Sequence, residues 1–139
     1  MNNNEHLLTI VEPTIGGDAT IELARRAVAR GGTASVLMVI TDRVERDIRA
    51  FAASEELGYG EAEEQAIIQL RELCLEQIGE TVPIRMHFGS LGSDVVKYIT
   101  GDTTTIAIPA RLANNGLVER IVSYSGRPVI VAPSLAAVA

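Results

Sequence analysis

The chain has 139 residues, 47% of them hydrophobic and 22% charged, with a net charge of −6. That predicts a single domain over residues 1–139, large enough for one continuous core. The composition excludes a bilayer-spanning helix, because every apolar run is too short, and an acidic chain repels the phosphate backbone of a nucleic acid.

The polar start, Met1-Asn2-Asn3-Asn4-Glu5-His6, lacks the basic and apolar stretches of a secretory signal, so a cytoplasmic location is expected. Leu7 to Val11 is a short apolar run halted by Pro13 and Gly16-Gly17, which predicts a fully buried strand. A helix should follow from Asp18, its N-cap, to Arg30, with Ile21, Ala24, Ala27 and Val28 facing inward. Arg25, Arg26 and Arg30 load its C-terminal half, where the helix dipole favours cations, and read as a solvated face. Gly31-Gly32 ends it.

Thr33 to Ile40 is apolar on both faces, as a strand covered on both sides would be. Residues 41–60 are polar, with Asp42 to Ala53 open to a helical reading. From Glu61 to Gly79 the period is helical, with Ala66, Ile67, Leu70, Leu73, Cys74 and Ile78 on one face. Val82 to Phe88 alternates, which suits an edge strand with Arg85 and His87 on its wet face, and Pro83 agrees with an edge. A short helix is expected from Leu91 to Thr100, with Val95, Val96 and Ile99 inward. Thr103 to Ile108 is a fourth strand, stopped by Pro109. Asn114 or Asn115 can cap a last helix that turns Leu117, Val118, Ile121 and Val122 inward and ends at Gly126. Pro128 to Pro133 is a fifth strand.

Strand and helix thus alternate, which predicts an α/β fold: five parallel strands, right-handed crossovers and helices on both faces. In such sheets ligands bind beyond the C-terminal ends of strands where the strand order reverses. Two loops fit that position, Glu12 to Gly17 and Pro109 to Asn115.

Catalytic and metal chemistry is not signalled. His6 falls in a polar start that reads as unstructured, and neither histidine lies near Cys74 in sequence. No His, Cys and Asp grouping has zinc spacing, so neither a catalytic residue nor a metal ligand is assigned. The lone Cys74 reads as a small buried hydrophobe, and Ser90, Ser93 and Ser125 as capping or turn residues. The P-loop, the dinucleotide fingerprint and the Gly-x-Ser-x-Gly elbow are all absent. A response-regulator receiver would need an Asp ending the third strand and a Lys ending the fifth, where this chain has Phe88-Gly89 and Ala132-Pro133.

The strand ends and the last helix resemble the universal stress protein family. Leu7-Leu8-Thr9-Ile10-Val11-Glu12-Pro13-Thr14 resembles its opening strand, which runs into an acidic and then a hydroxyl residue. Val36 to Ile40 resembles its second strand. Asn115-Gly116-Leu117-Val118-Glu119-Arg120-Ile121-Val122, followed by Pro128 to Val131, resembles its final helix and strand. The resemblance implies a parallel sheet of order 3-2-1-4-5 in a three-layer sandwich, adenine nucleotide alpha hydrolase-like or flavodoxin-like, and a homodimer. One branch of the family binds ATP through a glycine-rich loop after the fourth strand. Here that loop is Pro109-Ala110-Arg111-Leu112-Ala113-Asn114-Asn115-Gly116, without a glycine after the strand and with a proline that lacks an N–H. The chain therefore resembles the branch without the ATP motif.

The expected function is a stress-response binding or regulatory module without catalysis, without a required cofactor and without tight ATP binding. The alternative is a module that binds ATP or AMP through a degenerate loop. Its lining would be Glu12, Pro13, Thr14, Val39, Ile108, Pro109, Arg111, Asn115 and Gly116, although a lone loop Arg111 reads first as solvated. The fifth strand, Pro128, Val129, Ile130, Val131 and Ala132, is apolar on both faces at an expected sheet edge, which predicts pairing with a second copy. The bland alternative is cover by helices and by the tail Leu135 to Val138.

Overall fold

The computed structural model describes residues 4–13, 19–114 and 116–133. The expected Asp18 cap, the Gly16-Gly17 turn, Thr14, Asn115 and the tail Leu135 to Val138 lie outside the described residues. The strands are β1 (His6–Val11), β2 (Thr33–Ile40), β3 (Ile84–Phe88), β4 (Thr105–Pro109) and β5 (Val129–Ala132). The helices are α1 (Ala19–Ala29), α2 (Asp42–Ser54), α3 (Tyr59–Gln77) and α4 (Leu117–Ser125), with short 3-10 segments at Ser93–Tyr98 and Ala110–Leu112.

All the strand pairs are parallel and the order is β3-β2-β1-β4-β5, as the resemblance implied. The unbroken apolar runs of β1 and β2 occupy its middle, because only a strand covered on both faces tolerates them. Helices α1, α2 and α3 cover one face, packing Ile21, Ala24, Val44, Ile48, Leu70 and Cys74 against Leu7, Val11, Val36 and Met38. Helix α4 and the Ser93–Tyr98 segment cover the other, packing Leu117, Ile121 and Val95 against Leu8, Ile10, Leu37 and Ile108. The ambiguous stretch after β2 is helix α2, whose Val44, Ile48 and Ala52 recur every four residues and are buried.

Several expectations are corrected. Val28 and Val122 are 37% and 44% exposed, each lying one residue past its helix's buried stripe. Leu91 to Thr100 forms only a six-residue 3-10 segment, since the β-branched pair Val95-Val96 and Gly92 disfavour a longer helix. β4 begins at Thr105, two residues late, because Thr100 N donates to Thr103 Oγ1 and Thr103 N to Thr100 O, making a turn. Asn114 is not the cap of α4: the N-cap is Gly116, at φ +72, a left-handed conformation that a residue with a Cβ adopts at a cost. His6 is ordered as the first residue of β1, its Nδ1 2.5 Å from Thr33 Oγ1 and its Nε2 3.2 Å from Ser35 Oγ. His87 is not on a wet face: it is half-buried, edge-on to Tyr98, with Nδ1 3.0 Å from the phenol oxygen.

Candidate functional site

The C-terminal ends of the strands converge on a buried carboxylate. Glu12 follows β1 and is 1% exposed. Thr41, the first residue after β2, donates its hydroxyl to Glu12 Oε2 at 2.7 Å. Thr41 Oγ1 also accepts the Val44 backbone N–H at 3.3 Å and so caps α2. Arg43, in the first turn of α2, reaches Glu12 Oε1 at 3.5 Å. Arg111, in the 3-10 segment after β4, donates through Nε to the same Oε1 in a close ion pair. Its side chain is 11% exposed against 46% for Arg43, so Arg111 is the partner that neutralises the buried charge.

This corrects the reading of Arg111 as a solvated loop residue. The reason is topological: β4 lies beside β1 in the sheet, which sets the loop after β4 against the residue that ends β1. Residues 99 apart in sequence thereby become an ion pair that no local pattern announces.

Beside this pair lies a cleft of about 290 Å3. Its polar lining is Thr41, Ser90, Asn114 and Arg120, and its apolar lining is Leu91, Leu112 and Leu117. A cation, two hydroxyls and an amide over an apolar floor can hold a small polar ligand, and the volume is at the low end of ligand pockets, about 300 Å3. Of the residues expected to line a nucleotide site, Glu12 and Arg111 come together beside the cleft. Val39 and Ile108 are fully buried in the core beneath it, and Pro13 and Pro109 are buried at the strand ends. Gly116 is exposed at the start of α4. Leu112 and Asn114 of the cleft lie in the loop Pro109 to Asn115 that the fold rule singled out, whereas Thr41 and Ser90 were missed, although each stands just past a strand's C-terminal end.

Among the described residues, no three His, Cys, Asp or Glu side chains are gathered as a metal ion would require. No described helix is long and apolar enough to cross a membrane. At the far edge of the sheet, β5 leaves Ile130 and Val131 exposed at 42% and 46%.

No protein-family model and no curated protein matches the chain. Solved structures do. Universal stress protein UspA from Lactobacillus plantarum superposes with a TM-score of 0.52 at 14% identity, covering 94% of this chain and 99% of that one. Hypothetical protein MJ0577, the subject of a structure-based assignment of biochemical function, gives a TM-score of 0.50 at 16% identity, covering 94% and 96%. The fold is that of universal stress proteins, in strand order and across nearly the whole length.

Proposed function

We propose that the chain is a universal-stress-protein-like regulatory or binding module of the cytoplasm, serving a stress response without catalysis and without tight ATP binding. The observation that carries this reading is the Glu12–Arg111 ion pair across the C-terminal ends of β1 and β4. A triphosphate bound there would lie against a buried carboxylate, and the arginine nearest to it is already engaged. Pro109 supplies no N–H, and the stretch Ala110 to Ala113 contains no glycine to bring the backbone close to phosphate.

Titration calorimetry with magnesium-ATP and with AMP tests the proposal. The expected result is no saturable heat at micromolar nucleotide. A dissociation constant below about 10 µM for either nucleotide overturns it. The second reading, an adenine-nucleotide module with a degenerate loop, draws on the cleft beside the pair, with Arg120 and two hydroxyls in its lining. It predicts nucleotide binding that Arg120→Gln abolishes.

The module also pairs with a second copy through β5, in this proposal. Ile130 and Val131 are exposed on that edge strand, and Val122 and Tyr124 on the adjoining α4 are exposed as well. Neither a nucleic acid nor a metal enters the proposed function.

A further inference from the structure

The 3-10 segment Ser93–Tyr98 is too short to cover the whole sheet face beneath it, and a second cavity of about 180 Å3 remains, well away from the Glu12 cleft. Register explains its floor. Leu8 lies opposite Ser35, and Leu37 opposite Arg85, so these four residues share one face of β1, β2 and β3. Further along β1 and β2 that face is apolar core, with Ile10 and Val39 buried, whereas here it turns polar. Tyr98 and Asp102, at the end of the 3-10 segment and in the loop after it, form the opposite wall.

The polar groups inside are already tied down: His6 to Thr33 and Ser35, and the Tyr98 hydroxyl to His87. The two charges at the mouth are different. Among the described residues, the side chains of Arg85 and Asp102 form neither a hydrogen bond nor an ion pair, with each other or with anything else. A cation from the sheet and an anion from the loop thus border one cavity without meeting. One small molecule carrying both charges would complete both, its carboxylate on the guanidinium and its ammonium on the carboxylate. Its body would rest on Pro83 and the Tyr98 ring.

We propose that this cavity, bordered by Arg85 and Asp102, is a binding site for a small zwitterion of the free α-amino acid class. A volume of about 180 Å3 suits a ligand of that size and is below the roughly 300 Å3 at which pockets for larger ligands begin.

The test is an NMR amide titration of the intact protein with the twenty free amino acids, each up to about ten millimolar. The expected result is saturable shifts at Ser35, Arg85 and Asp102 with at least one amino acid. R85Q and D102N, both exposed and without partners to lose, should each weaken that binding about tenfold while leaving the thermal midpoint unchanged. The N-acetyl amide of the same amino acid, which has neither charge, should not bind. The proposal is overturned if no amino acid gives saturable shifts at those residues. It is equally overturned if the neutral amide binds as well, if both variants bind unchanged, or if the shifts fall at Thr41 and Arg120 instead.

Discussion

Thr41 uses one hydroxyl twice, accepting the Val44 N–H and donating to Glu12, and this joins the start of α2 to the end of β1. Glu12 in turn is held by charges from two other elements, of which only the Arg111 partner is largely withdrawn from water. Removing the carboxylate would leave Arg111 buried beside nothing of opposite charge from β1. Glu12→Ala should therefore lower the unfolding free energy by about 3 kcal/mol, read by urea denaturation. The exposed pairs of α1 provide the contrast. Arg25 donates to Glu22 and holds its carboxyl down to about 2, yet water screens that pair, and Glu22→Ala should leave the denaturation midpoint close to that of the wild type. Equal loss in the two variants would show that burial does not set the strength of the Glu12 pair.

At the scale of elements, the junction between α1 and β2 is the tightest backbone approach in the molecule's described glycines. A Cβ on Gly32 would stand 2.8 Å from Glu5 O and 3.0 Å from Ala27 O, and neither carbonyl can swing aside as a side-chain tip would. Gly32→Ala should cost about 1–3 kcal/mol, measured by thermal or urea denaturation, whereas Gly60→Ala, with open space around it, should not destabilise. The sequence made the glycine legible as a helix stop but not as a contact with the residue before β1. The same division holds elsewhere. The central strands, the edge position of β3 and the buried face of α3 followed from apolar spacing, which is local, whereas the edge position of β5 came with the strand order that the resemblance implied. The partners of His6 and Arg111 did not, because each depends on which strands become neighbours, and the Tyr98 partner of His87 did not, because it depends on how the 3-10 segment folds back on β3. Val28 and Val122 misled for another reason: a stripe's width on a helix is set by what packs against it, and an apolar residue at its border can face either way.

For the molecule as a whole, the two edges of the sheet are unlike. β3 brings Arg85 to its edge and starts after Pro83, both of which discourage a further strand, while β5 exposes Ile130 and Val131. Light scattering should give a mass near twice 14.9 kDa, and Ile130→Lys should reduce it to one chain's mass. A wild-type monomer would remove the edge-pairing argument. The strand order carries one more consequence, for the time before the protein is finished. Of the strands in this sheet, the first to be made is the one at the centre, and its second neighbour is β4, tied to it by Thr104 and Arg111 some hundred residues later. Until that late segment arrives, β1 has one side unpaired and Glu12 lacks its least exposed cationic partner, so the end of the first strand must stay hydrated. The growing chain can close its helical face early, around α1 to α3, but the crevice at the strand ends forms only after β4 and the segment behind it have been made.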